Sequence, residues 1–177
     1  MSKIAILLAL GVAVGTPAMV AQAQSGGFAA RVAVTVPGVL TAAEVTRALP
    51  LEVLFKGQTV MVEGGYSGGA RWADGSVMMA ALVDTRGSAS VERSFQAYFV
   101  TKTPLAFGQQ RLKPGTYGVE FLEGSFLVMD LEGHEVLRVE SDRDDAMKVP
   151  VPLQVTANGL SYRLYGGRSF VSFQATP

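Results

Sequence analysis

The chain has 177 residues, with 15 basic and 15 acidic side chains, one histidine and no cysteine. This even charge balance argues against nucleic acid or an anionic membrane surface as a partner. The lack of cysteine excludes disulfide bonds, and with a single histidine it also excludes a transition-metal site built from histidine and cysteine ligands.

The first 23 residues have the pattern of a secretory signal peptide. Lys3 precedes an apolar run from Ile4 to Gly15, and Ala21-Gln22-Ala23 is a small-x-small cleavage pattern. The run is shorter than the roughly 20 apolar residues of a membrane-spanning helix. We therefore expect a signal peptide at 1–23, a flexible lead-in at 24–30 and one domain at 31–177, periplasmic or secreted by a bacterium. An uncleaved anchor or a buried N-terminal helix is the alternative.

The first elements of the domain are a strand, a helix and a hairpin. Alternating valines predict a strand over 31–36, which ends at a Pro-Gly turn signal. Thr41-Ala-Ala-Glu44 is a capping box that predicts one short helix over 41–49, ended by Pro50. We expect the helix to pack Val45 and Leu49 against a sheet edge. Short strands are then predicted over 51–55 and 59–62.

The glycine-rich segment Gly64–Gly75 is predicted to be the most flexible part of the chain. It matches no nucleotide-binding loop pattern. Its Tyr66, Arg71, Trp72 and Asp74 are our candidate ligand-binding residues, with Trp72 as an aromatic platform for a sugar ring or a peptide. The alternative is that Trp72 packs into the core while the glycines only join two strands.

The rest of the chain alternates as a series of strands. Aromatic residues on both faces of the run at 91–102 favour a strand buried on two sides. Pro114-Gly115 predicts a type II turn, Asn158-Gly159 predicts a type I′ hairpin turn, and Pro150 and Pro152 predict an edge strand. The other predicted strands are 76–84, 116–121, 126–130, 135–141, 149–156, 160–165 and 169–174. About 8–10 short strands and one helix indicate an all-β fold, an antiparallel β-sandwich or a barrel.

The stretch from Phe95 to Thr156 contains Leu112-Lys-Pro-Gly-Thr-Tyr117. It resembles small exported bacterial β-proteins of unknown function whose strands are punctuated by Leu-x-Pro/Ala-Gly-x-Tyr. The motif is loosely similar to one in transthyretin-like and carboxypeptidase-regulatory-like β-sandwich domains, which generally act as stability or adhesion modules. The resemblance implies a β-sandwich and a non-catalytic role. It covers about a third of the chain and contains no catalytic residue.

The sequence contains two candidates for a metal-binding or catalytic site. Asp142, Asp144 and Asp145 are candidate ligands for Ca²⁺, which prefers oxygen, although Arg143 interrupts them; a solvated acidic turn is the alternative. His134 lies in a predicted hairpin loop, where a solvated histidine is favoured over a catalytic one.

These patterns predict an exported, non-catalytic binding or structural module of the bacterial envelope or extracellular space. We expect it to need no cofactor and to have an envelope or extracellular protein or glycan as partner. The alternative is a carrier of a small hydrophobic or carbohydrate ligand in a cavity between the sheets. A hydrolase is a third hypothesis. The aromatic residues that suggest the carrier are Tyr66, Trp72, Phe95, Phe99, Tyr117 and Phe121.

Overall fold

The computed structural model describes residues 36–84 and 96–176. These residues form two antiparallel β-sheets and one short helix, which confirms the predicted all-β sandwich. Neither sheet closes on itself within the described ranges, so the fold is not the barrel that the pattern also allowed. Of the predicted strand over 31–36, only Val36 is described. Of the predicted strand over 91–102, residues 91–95 lie outside the described residues.

The described strands number 14, more than predicted, because several have only two or three residues. The larger sheet contains β1 (Gly38–Leu40), β2 (Glu52–Phe55), β3 (Gln58–Arg71), β4 (Val77–Asp84), β5 (Ala97–Thr101), β8 (Gly115–Leu122), β9 (Ser125–Met129) and β10 (Glu135–Glu140). The smaller sheet contains β6 (Leu105–Phe107), β7 (Gln110–Leu112), β11 (Asp142–Arg143), β12 (Val151–Asn158), β13 (Ser161–Gly167) and β14 (Ser169–Ala175).

The order of the larger sheet is β1-β3-β4-β5-β8-β9-β10, with β2 paired to the same side of β3 as β1. The order of the smaller sheet is β12-β13-β14-β6-β7, with β11 also paired to β14. The predicted edge position of the proline-containing strand is confirmed, because β12 lies at one end of this order. Pro152 lies where the β12–β13 register shifts, so its missing N–H group interrupts no regular ladder.

The first core lies between the two sheets and is rich in aromatic rings. Phe99 and Phe126 are fully buried in it. The ring centroid of Phe107 lies 5.7 Å from that of Phe126 and 5.9 Å from that of Phe173. These separations are typical of aromatic pairs in close contact.

A second core covers the outer face of the larger sheet. Helix α1 (Ala42–Ala48) contributes Val45, and Leu49 follows at its end, so the two residues pack on the outer face of the sheet and not against its edge as predicted. Both halves of the predicted capping box are present between Thr41 and Glu44. Alternate residues of β5 face the two cores, because Phe99 lies in the first and Tyr98 in the second. The larger sheet is therefore buried on both faces.

The prediction that Gly64–Gly75 is a flexible segment is wrong for most of its length. Residues up to Arg71 belong to β3, and only the last few form a turn. Two glycines allow neighbouring elements to approach β3. A Cβ at Gly64 would collide with Thr46 of α1, and a Cβ at Gly68 would lie 2.7 Å from the backbone nitrogen of Val155 in β12.

Pro114 and Gly115 do not form the predicted type II turn. Gly115 is the first residue of β8 and is not among the described glycines with positive φ. The Tyr117 hydroxyl donates to the carbonyl of Lys113 at 2.9 Å, and a Cβ at Gly115 would lie 2.7 Å from the hydroxyl oxygen. Glycine is needed here for the space that the folded-back tyrosine takes.

The predicted type I′ turn at Asn158-Gly159 is shifted by one residue. Asn158 pairs with Ser161, so the turn residues are Gly159 and Leu160. Only Gly159 has a positive φ, of 62°, among these two. A type I′ turn requires positive φ at both positions, whereas type II′ requires it at the first alone. The φ values therefore favour a type II′ turn.

We predict that Gly68→Ala destabilises the protein, because the added Cβ would force β12 away from β3. The expected loss is about 1–3 kcal/mol of unfolding free energy, the usual cost of overpacking. Urea denaturation measures it. Gly65→Ala is the matched control, since nothing lies within 4 Å of a Cβ at Gly65. Equal stability of the two variants would contradict the close approach.

Candidate functional site

The four predicted ligand-binding residues do not form one free surface. Tyr66 is 47% exposed on β3, but the other three interact within the chain. An Arg71 guanidinium nitrogen lies 3.3 Å from a Glu44 carboxylate oxygen. Trp72 packs edge-to-face on Tyr162 with centroids 5.5 Å apart, and Asp74 accepts hydrogen bonds from the backbone and hydroxyl of Ser76.

Apart from the exposed Tyr66, the described aromatic residues of the predicted carrier cavity lie in or pack against the first core. Phe99 is fully buried there, and Trp72, Tyr117 and Phe121 contact it. Phe95 lies outside the described residues. The rings of Phe121 and Phe126 lie 4.9 Å apart, so at that point side chains occupy the space between the sheets.

The three aspartates of the predicted calcium site are engaged in different local contacts or point to solvent. Asp144 accepts from the backbone N–H of Ala146 at 3.1 Å and from the Tyr165 hydroxyl at 3.3 Å. Asp145 accepts from Arg143 at 2.8 Å, and Asp142 is exposed on β11. Within the described residues, Asp144 therefore stabilises a turn and Asp145 forms an ion pair.

Asp130, Glu132 and His134 form a different grouping, in the turn between β9 and β10. Their potential ligand atoms all lie within 4.8 Å of one another. One Asp130 oxygen accepts from the backbone N–H groups of Glu132 and His134, and the other lies 3.0 Å from His134 Nδ1. These hydrogen bonds stabilise the turn itself, so the turn explains why the three side chains lie close together. The imidazole is 72% exposed, as expected for a solvated histidine in a loop.

The β9–β10 turn meets the turn between β2 and β3, and together they form what we call the hairpin corner. Lys56 and Gly57 have φ of 50° and 73°, the positive values of a two-residue type I′ turn. The Lys56 N–H donates to the carbonyl of Leu131 at 2.8 Å. The methylenes of Lys56 also lie over Gly133, where a Cβ would collide with them.

An open groove of about 680 Å³ lies at the hairpin corner. It is lined by Leu54, Lys56, Gly57, Leu131 and Glu132. Leu54 is 59% exposed, and Leu51 and Met61 of the same hairpin are also exposed. A cluster of exposed apolar side chains beside charged ones is typical of an interaction surface.

The backbone of β2 is open along the side that faces away from β3. The Phe55–Gln58 pair flanks the two-residue turn, and Val62 N–H donates to Leu51 at the other end of the hairpin. Since hydrogen-bonded and non-hydrogen-bonded pairs alternate, the N–H and C=O groups of Glu52 and Leu54 point away from β3. No other described strand pairs with this edge.

Glu120 lies beneath this part of the fold, in the second core. Its strand neighbours Val119 and Phe121 face the first core, so Glu120 faces the opposite side with its cross-strand partner Leu127. It is the one buried carboxylate among the described residues, at 8% exposure. Burial raises its pKa above the ordinary value of 4.5, although the positive charges of Arg138 and Lys56 act in the opposite direction.

The hairpin corner and Glu120 were missed by the sequence-based predictions. The sequence pattern predicts a strand over 116–121 and assigns no role to Glu120. The signal that could have located it is the two-sided pattern of the neighbouring strand β5, since a sheet covered on both faces also buries the polar residues of its outer face. The corner itself depends on two turns 75 residues apart, at Lys56 and Leu131, and no local pattern indicates their contact.

We predict that Glu120→Gln makes the protein more stable than the wild type near neutral pH. The raised pKa means that the folded state favours the protonated carboxyl, so wild-type stability falls as pH rises through this pKa. The difference should vanish below about pH 4, where the carboxyl is protonated in both states. Thermal unfolding of both proteins across this pH range measures it.

The matched control is Glu123→Gln, because Glu123 is exposed in the turn between β8 and β9. This variant should be as stable as the wild type near neutral pH. A Glu120→Gln protein that is less stable than the wild type near neutral pH would show that Arg138 and Lys56 stabilise the ionised carboxylate by more than its burial costs.

No helix in the described ranges is long and apolar enough to cross a membrane. Comparison of the chain with protein-family models, with curated proteins and with solved structures found no match in any of the three.

Proposed function

We propose that this protein is an exported, non-catalytic binding module of the bacterial envelope or extracellular space, and that its partner is a protein. The partner would dock an extended segment against the open edge of β2. The observation that carries the proposal is this edge, with outward backbone groups at Glu52 and Leu54 beside the groove of the hairpin corner.

Strand addition suits this edge because β2 and the adjacent groove can provide both backbone and side-chain contacts to a partner. An extended segment would pair with the N–H and C=O groups of Glu52 and Leu54, which supplies affinity independent of sequence. Its apolar side chains would contact Leu54 and Leu131, which line the groove. Lys56 and Glu132 carry opposite charges at the same groove, so they favour a segment with charged residues next to its apolar ones.

The contact between Lys56 and Leu131 limits the length of the site. Lys56 follows the last residue of β2, and its N–H group is already bonded to the β9–β10 turn, so pairing with a partner cannot continue beyond β2. A short edge of this kind discourages unlimited sheet extension. Recognition would therefore depend on side chains as well as on the backbone.

Export and the lack of catalysis rest on the sequence. The N-terminal apolar run and the small-x-small pattern at Ala21-Gln22-Ala23 support export. Catalysis by a nucleophile, a histidine and a carboxylate requires these groups to converge, whereas the sole histidine lies in the turn between β9 and β10 beside Asp130 and Glu132.

We predict that Leu54→Lys weakens peptide binding at the β2 edge while leaving stability unchanged. The leucine is 59% exposed, so folding does not depend on it, but a charge would oppose burial of an apolar ligand side chain. Seven-residue peptides selected by phage display on the purified protein are the probes. Their affinity should fall at least about tenfold in the variant, a change of roughly 1.4 kcal/mol.

Leu160→Lys is the matched control, because Leu160 is 97% exposed in the β12–β13 turn, on the other sheet. The selected peptides should bind this variant as they bind the wild type. Failure to select any peptide, or equal loss of binding in both variants, would contradict docking at β2.

A further inference from the structure

The smaller sheet is interrupted along one side of β14. On this side β11 pairs with Ser169 and Phe170, and β6 pairs with Gln174 and Ala175. Residues 171–173 lie between the two paired stretches and have a strand neighbour only on the side of β13. The sheet therefore has a gap three residues wide, centred on Ser172.

The backbone groups of Ser172 point into this gap. The Gly166–Ser169 pair flanks the two-residue turn of the β13–β14 hairpin, so odd-numbered residues of β14 bond to β13 and even-numbered ones point away from it. Two hydrogen bonds of 2.9 Å agree with this alternation, from Thr176 N–H to Pro104 and from Asp144 N–H to Arg168. The N–H and C=O groups of Ser172 are thus available to a ligand.

A groove of about 450 Å³ opens at the gap. Its apolar lining comes from Phe107, Val139 and Val171, all of which belong to or pack against the first core. Its polar lining includes Glu140 and Asp142. A second hollow of about 230 Å³ also borders Ser172. The larger volume falls in the range of roughly 300–1,000 Å³ that small-molecule sites occupy.

The groove is negatively charged, and among the described residues no basic side chain in its lining neutralises the two carboxylates. The carboxylates of Glu140 and Asp142 make no hydrogen bond or ion pair within the described residues. No basic side chain lines the groove. The arginines next in sequence are bound elsewhere, since Arg143 pairs with Asp145 at 2.8 Å and Arg138 with Glu135 at 2.7 Å.

We propose that the gap at Ser172 is a binding site for a small organic cation with an apolar body, such as an alkylammonium group. The ammonium would lie between Glu140 and Asp142, and the apolar body would pack against Val139, the half-buried apolar residue of the lining. The backbone of Ser172 would bond to a polar group at the far end of the ligand. This site is independent of the proposed docking edge, because its lining shares no residue with the hairpin corner.

The test uses pentylammonium as the probe, with 1-pentanol and pentanoate as neutral and anionic analogues of the same length. Two-dimensional amide NMR of the purified protein follows each titration. The expected result is a set of shifts at Gly108, Gln109 and Ser172 with pentylammonium, and much weaker shifts with the two analogues. Equal shifts with all three compounds, or shifts confined to other residues, would overturn the proposal without any variant.

The charge requirement is tested with the double variant E140Q/D142N. It should weaken pentylammonium binding at least about tenfold. The single variant E123Q is the control, because Glu123 is exposed and does not line the groove. Unchanged binding in the double variant, or the same loss in E123Q, would show that the two groove carboxylates do not hold the cation.

Discussion

The close passage of other elements over β3 is the constraint on which the rest of the structure depends. At Gly68 the backbone of β12 crosses β3 at a distance that leaves no room for a Cβ, and at Gly64 helix α1 does the same through Thr46. The hydroxyl of Thr46 also donates to the carbonyl of Gly64 at 3.1 Å. One strand thus joins the smaller sheet on one side to the helix on the other, and both cores form around it.

The bend of β3 then determines where the hairpin corner lies. Its pairing with β4 shifts between Glu63 and Ser67, and the Ser67 hydroxyl bonds to the Gly64 carbonyl at 2.6 Å within this irregular stretch. A bulge bends the strand that carries it. The first half of β3, with β2, contributes Val53, Phe55 and Val60 to the second core over the outer face of the sheet. The same bend brings the β2–β3 turn to Leu131 and encloses Glu120.

The features that the sequence predicted well are those that local chemistry determines. The capping box at Thr41, the helix end before Pro50 and the two-sided character of β5 follow from residues close together in the chain. Glycine caused the main errors, because it serves two purposes that look alike in sequence. Gly159 is needed for a positive φ, whereas Gly68 and Gly115 are needed because another group occupies the space of their Cβ. Only the three-dimensional neighbours distinguish these uses.

Both proposed binding surfaces lie where backbone pairing stops, and the extent of unpaired backbone distinguishes their ligands. Along β2, the outward groups of Glu52 and Leu54 offer two residues of ladder, enough to begin pairing with an extended chain. At β14, Ser172 offers a single residue between β6 and β11, too little for a strand but enough to orient a small molecule. The two surfaces also differ in charge. The first carries one positive and one negative side chain, Lys56 and Glu132, whereas the second carries two negative ones, Glu140 and Asp142. Both proposed sites thus lie at described residues whose backbone groups the ladders leave unpaired.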